Sequence, residues 1–193
     1  QRNVAIAIAE QITDYLTKGE IRNAVNFPSI SAELLSNIQP YLVLAEKLGK
    51  FQAQLASGGV KEVSVEYSGD ILNNQVAPIT IALLKGLLSP ILKETVNFIN
   101  APIIAKERGI KVIESRSSSV EDFTNMISIT VTTTKEKNYT AGAIFGRQDP
   151  RIVRIDKFTL EAIPEGNMLV LYNYDKPGVI GNLGTTLGNN GIN

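Results

Sequence analysis

The residues best placed to do chemistry lie at the end of the chain, in YNYDKPGVIGNLGTTLGNNGIN, residues 172–193. The preceding apolar run, NMLVLYNY, reads as a strand, and VIGNLGTTLGNN reads as a helix. At such a turn the free N–H groups and the helix dipole attract a carboxylate. Asp175 suits the N-cap or the turn just before the helix, Pro177 its first turn and Gly191 its C′ position. A dinucleotide loop needs G-x-G-x-x-G with its first glycines at the turn. Gly178, Gly181, Gly184 and Gly188 are spaced three, three and four, which does not meet that pattern. Gly181, Gly184 and Gly188 share one helical face. Each costs up to about 1 kcal/mol relative to alanine inside a helix, and close approach of another backbone is the simplest compensation. A capped, tightly packed helix and a small-ligand site at the turn both stay open.

A second cluster, Arg147, Arg151, Arg154 and Lys157, could hold a phosphate or carboxylate. If RIVRID is a strand, its alternation sends Arg151 and Arg154 to opposite faces, and a solvated sheet face is the competing reading. Gly58-Gly59 and Gly142 read better as a helix end and as strand packing than as anion loops. SRSSS, residues 115–119, reads as a polar loop, from which Arg116 could join the anion site. Glu62, Glu66, Glu121 and Asp122 are scattered, with no pairing that argues for acid–base work.

Several elements must position these residues. Val4, Ile8, Ile12 and Leu16 recur every four positions, predicting a helix that Gly19 stops. Residues 19–28 read as a linker ending at Phe27-Pro28. SAELLSNI predicts a short helical turn, and Pro40 opens a separate helix that Gly58-Gly59 ends. VKEVSVEYS is a strand with Val63, Val65 and Tyr67 on one face and Ser64 and Glu66 on the other. PITIALLKGLL is a buried helix, PIIAKER another helix and IKVIES a strand. After residue 120, MISITVTTT, YTAGAIFG, RIVRID and KFTLEAI alternate with a period of two, which predicts an antiparallel meander. Helices packed on such a sheet make an α+β domain over roughly 28–164, and Pro164-Glu165-Gly166 marks a further boundary.

The chain has no cysteine and no histidine. Disulfides, zinc–thiolate sites, Ser-His-Asp triads and imidazole metal ligands are thereby excluded from these residues, and no metal site is expected. Nineteen basic residues balance 19 acidic ones without a basic stripe, so no nucleic-acid partner is expected. No apolar stretch approaches the roughly 20 residues of a membrane span, and QRNVAIAIAEQITDY reads as neither a signal nor a transit peptide. The lack of cysteine fits a reducing compartment, and a cytoplasmic location is expected.

DKPGVIGNLGTTLGNNGIN resembles the opening of the ACT regulatory domain of long-form D-3-phosphoglycerate dehydrogenase. QPYLVLAEKLGKFQAQL resembles the first long helix of that family's intervening, or allosteric substrate-binding, domain. DPRIVRIDKF and IPEGNMLVL resemble its exit into the ACT domain, and QRNVAIAIAEQITDYLTKGEIRNAVN resembles the helix leaving the catalytic region. The resemblance implies a helix and linker over 1–27, the intervening domain over 28–164, and the first strand and helix of an incomplete, ferredoxin-like ACT domain over 165–193.

It further implies that the parent enzyme oxidises 3-phosphoglycerate with NAD in the first step of L-serine biosynthesis. These residues would hold neither the nucleotide fingerprint nor the catalytic groups. They would serve oligomerisation and serine feedback. By position, Asp175 would hold the serine ammonium or order the turn, and Asn193 would bind through its amide. The N–H groups near Val179 and Ile180 would meet the carboxylate. Asn173 stands where the family often has His or Tyr. A phosphate or phosphorylated substrate would favour Arg151, with Arg147 and Lys157, although Glu161 stands where some members have Arg. A free-standing amino-acid-sensing module is the alternative reading. A serine dehydratase of related fold would need iron–sulfur cysteines.

Overall fold

The computed structural model describes residues 2–18, 32–92, 95–118, 123–174 and 176–192. The 19–28 linker, Ser119, Glu121, Asp122, Asp175 and Asn193 therefore fall wholly or largely outside the described residues. The elements in chain order are α1 (Arg2–Lys18), α2 (Ala32–Leu55), β1 (Val60–Gly69), α3 (Ala77–Leu88), α4 (Ala101–Glu107), β2 (Lys111–Ser117), β3 (Asn125–Thr133), β4 (Lys137–Phe145), β5 (Asp149–Ile155), β6 (Phe158–Ala162) and α5 (Val179–Asn189). The strands form one sheet in the order β2-β1-β3-β4-β5-β6. β1 and β2 are parallel, joined through α3 and α4, and the other pairings are antiparallel. This is the expected α+β architecture.

One face of the sheet carries Val63, Val65, Tyr67, Ile127, Ile129, Val131 and Ile152, all fully buried. Against it lie Ile38, Leu44 and Leu48 of α2 and Ile79, Leu83 and Leu87 of α3. Each such side chain contributes roughly 1.5–3 kcal/mol of hydrophobic stabilisation. Gly142 opens the sheet to α2, because a Cβ there would stand 2.8 Å from Leu44 Cδ1 and 3.0 Å from Leu48 Cδ1.

α2 and α3 cross backbone to backbone. A Cβ on Gly49 would stand 2.7 Å from Leu87 N, and one on Gly86 would stand 2.9 Å from the Glu46 carbonyl carbon and strike its oxygen. Above the crossing Glu46 takes ion pairs from Lys50 at 2.7 Å and Lys85 at 2.8 Å. Burial pushes the Glu46 carboxyl up, but the hydrogen bonds from Lys50 and Lys85 outweigh it and hold its pKa below the ordinary value.

Three expectations are corrected. The helix break before Pro40 is absent, for Pro40 lies inside a continuous α2. Proline forfeits an N–H and costs about 3 kcal/mol inside a helix; burial of Ile38, Leu42, Leu44, Ala45 and Leu48 offsets this. The SRSSS loop is partly strand, since β2 continues through Ser117, paired with Ser68 of β1. Residues 167–174 form no strand. An extended segment needs a neighbour to bond, and the sheet ends at β6.

Candidate functional site

The basic cluster is spread along β5. Arg147 lies in the exposed β4–β5 turn and Lys157 in the β5–β6 turn, and the seven residues of β5 between them set the two turns more than about 20 Å apart at the usual strand rise. Arg151 and Arg154, expected on opposite faces, lie on the same one. They pair with Ala143 and Ala141 of β4, two residues apart, and the register shift between Ala141 and Gly142 inserts Val153 as an extra residue. A β-bulge of this kind reverses the alternation. The face they share is the one away from α2 and α3, where Met126, Ala141, Ala143 and Val153 form a second, smaller apolar cluster. Arg151 is held there by Glu161 at 3.4 Å and lies 5.9 Å from the Phe145 ring centroid. Its Nη1 donates to the Pro150 carbonyl at 3.1 Å. Arg116 stands on β2, four strand positions from β5.

The chain beyond β6 is fastened to this body at two points. Lys47 of α2 reaches Glu165 at 2.7 Å, and that hydrogen bond is the main reason the Glu165 carboxyl sits below its ordinary pKa. The Tyr172 hydroxyl donates to Asp156 Oδ2 at 3.2 Å, while Asp156 Oδ1 accepts the Tyr139 N–H at 3.0 Å. Partial burial first, and then Asp156, push the Tyr172 phenol up. Asp156 makes this double contact from a left-handed backbone, φ 49°, which aspartate tolerates better than most residues. Val170, between the fastenings, packs on the main core. A groove of about 510 Å³ runs between α2 and this exit segment, with Lys47, Lys50, Gln54, Glu165 and Asn167 among its walls. Sequence reading missed the Lys47–Glu165 and Tyr172–Asp156 pairs, whose partners lie 118 and 16 residues apart.

At the terminal turn, Gly178 is the residue before α5, with φ 91°, and among the described residues no side chain caps the helix there. Val179 and Ile180 form the first turn of α5, and Ile180 is 75% exposed. Asn173 is exposed. The expected glycine stop is present. Gly191, φ 68°, donates to Gly188 and Ile192 donates to Leu187, which is the two-bond helix ending that favours glycine. The expected backbone neighbour of Gly181, Gly184 and Gly188 is not found among the described residues, for a Cβ on any of them would meet nothing within 4 Å. No group of three or more metal-ligating side chains occurs among the described residues. No helix among them is long and apolar enough to cross a membrane.

The family model of the D-3-phosphoglycerate dehydrogenase intervening domain matches residues 37–156, from α2 to the turn after β5. The chain belongs to that family. A D-3-phosphoglycerate dehydrogenase of Synechocystis is 40% identical over 196 residues, covering 100% of this chain and 35% of its own length. Those of Methanocaldococcus jannaschii and Archaeoglobus fulgidus are 43% and 39% identical, with 100% of this chain and 36% of each relative covered. The chain thus spans about a third of the length of these phosphoglycerate dehydrogenases. The family match takes in α2 from residue 37 on, the α2–α3 crossing and five of the six strands. It stops at Asp156, the residue that holds Tyr172.

Proposed function

We propose that this segment is the regulatory region of an NAD-dependent D-3-phosphoglycerate dehydrogenase, at its C-terminal end and outside its catalytic part. The observation that carries the reading is the intervening-domain match on the helix–sheet body, with full coverage of this chain by relatives of that name. The parent enzyme would oxidise 3-phosphoglycerate, the first step toward L-serine, and would act as a homo-oligomer in the cytoplasm. NAD would bind elsewhere in that enzyme. The chain has no histidine to serve as the catalytic base that the family resemblance implies, and no glycine spacing that fits a dinucleotide.

L-Serine is the proposed effector, bound at the turn before α5. Asp175 would take its ammonium, Asn193 and Asn173 its hydrogen-bonding groups, and the amides of Val179 and Ile180 its carboxylate. The exposed first turn of α5 and the open face of Gly181, Gly184 and Gly188 support this reading, since both leave room for a ligand and a second chain. The fastened exit, Lys47–Glu165 and Asp156–Tyr172, would carry a change at that turn into α2 and the sheet. A phosphate at Arg151 would have to displace Glu161, and Arg147 and Lys157 stand too far apart to share one.

Calorimetric titration of L-serine into the full-length enzyme that carries this segment tests the effector site. Saturable binding that Asp175→Ala abolishes supports it. Serine affinity unchanged in Asp175→Ala rejects the assigned role.

A further inference from the structure

At the sheet edge opposite β6, a groove of about 600 Å³ lies between α3, α4 and β2. That volume is in the range of small-molecule sites, roughly 300–1,000 Å³. Ile81, Leu84, Pro102, Ala105, Ile110 and Val112 give it apolar walls. Its polar groups are few and ordered. Tyr67, fully buried under α3, has its hydroxyl 2.7 Å from Thr80 Oγ1. Thr80 donates in turn to the carboxylate of Glu114, so its hydroxyl is left to accept from Tyr67. Burial pushes the Tyr67 phenol up, which keeps it a donor. The relay therefore points from the core outward and pins the Glu114 carboxylate at the groove edge.

Two ammonium groups line the same groove. Lys111 is taken by Glu62 at 3.1 Å. Lys106 and Glu114 form no ion pair with each other or with any other group among the described residues. One carboxylate and one ammonium thus border an apolar slot without neutralising each other. A lone cation or anion would satisfy only one of them. A zwitterion with an apolar side chain satisfies both and fills the slot.

We propose that this groove binds a free amino acid with an apolar side chain. Its α-ammonium sits on Glu114, its α-carboxylate on Lys106, and its side chain between α3 and α4. The site is distinct from the terminal turn and does not depend on serine binding there.

The test titrates L-leucine and L-phenylalanine into the intact protein by calorimetry, beside isoamylamine and 4-methylvalerate, which lack the carboxylate and the ammonium respectively. Saturable binding of one of the amino acids at millimolar concentration or below is expected. Each truncated analogue, and each of Glu114→Gln and Lys106→Met, should weaken it at least about tenfold, as expected for losing one charged hydrogen bond. Both substituted side chains face the groove rim, so folding should survive, and a far-ultraviolet dichroism spectrum checks that it does. Asp175→Ala should leave this binding unchanged. The absence of saturable binding by either amino acid overturns the proposal. Affinity that both groove variants leave intact also overturns it, by placing the ligand elsewhere. Isoamylamine binding as tightly as leucine overturns the ligand class.

Discussion

Two helix faces in this molecule carry glycine where alanine would be the better helix former. On α2 and α3, Gly49 and Gly86 face each other's helix so closely that a methyl group would strike backbone. On α5, Gly181, Gly184 and Gly188 face open space, with nothing within 4 Å of where a methyl would stand. The helix-propensity cost is the same at both places, up to about 1 kcal/mol per glycine. At the crossing it is offset within the chain by packing of Leu48, Leu83 and Leu87, all fully buried. On α5, which buries none of its residues, the offset has to come from something beyond these contacts. Glycine spacing on a helix therefore marks a close approach without saying whether the neighbour belongs to the same fold.

The largest expected effects contrast side chains. Leu83→Ala should cost about 2–5 kcal/mol in denaturant unfolding, by the transfer term plus the cavity it leaves. Ile180→Ala, at a side chain 75% exposed, should stay within about 0.5 kcal/mol. Equal costs would mean that α5 is packed. The glycines give a sharper contrast, because the sign should reverse. Gly86→Ala pushes a methyl into the Glu46 backbone and should destabilise by about 1–3 kcal/mol. Gly184→Ala should be neutral or stabilise by up to about 1 kcal/mol in this chain. The same Gly184→Ala change in the full-length enzyme that carries this segment should weaken self-association, read by sedimentation. Unchanged association there would leave the glycine face without a role.

Acid should unfold the body through its paired carboxylates. The pKa values of Glu46, Glu136 and Glu165 are all held below the ordinary 4.5. Burial opposes the shift at Glu46, where Lys50 and Lys85 win. The Ser57 backbone N–H holds Glu136 down, and Lys47 holds Glu165 down. A depressed folded-state pKa adds stability above the unfolded value, and that stability disappears as pH falls through the folded value. The melting temperature should accordingly hold from neutral pH to about 4.5 and fall below it. Glu46→Gln should flatten that fall. The smallest effect is at the exit. Tyr172→Phe removes one exposed hydrogen bond and should cost less than about 1 kcal/mol, while proteolysis of the 164–174 segment quickens. Unchanged cleavage would mean that the Asp156 fastening does not hold the exit.

Much of the body was legible because local pattern and burial agree. Val63, Val65 and Tyr67 alternate as a half-buried strand should, and the ITIALLKGLL helix is apolar on most sides because it is buried. Pro40 was misread because local chain chemistry says break while the apolar stripe from Ile38 to Leu48 says continue, and packing decides. Arg151 and Arg154 were misread because strand parity holds only without a bulge, and Val153 is one extra residue whose presence depends on the β4 register. The Lys47–Glu165 and Tyr172–Asp156 fastenings leave no periodic signal, being single contacts between segments that only the fold brings together. At the terminal turn the helix and its glycine stop were legible, but Pro177, expected in the first turn, stands ahead of the Gly178 cap instead. Asp175 and Asn193, which carry its proposed chemistry, lie outside the described residues.

The most direct measurement is NADH formation from 3-phosphoglycerate by the whole enzyme that carries this segment, with and without L-serine, beside the 193-residue chain alone. Assignment as a regulatory, non-catalytic part of a phosphoglycerate dehydrogenase predicts turnover by the whole enzyme, slowed by serine unless Asp175 is replaced by alanine, and none by the chain alone. Turnover by the isolated chain, or a whole enzyme that does not oxidise 3-phosphoglycerate, would contradict it.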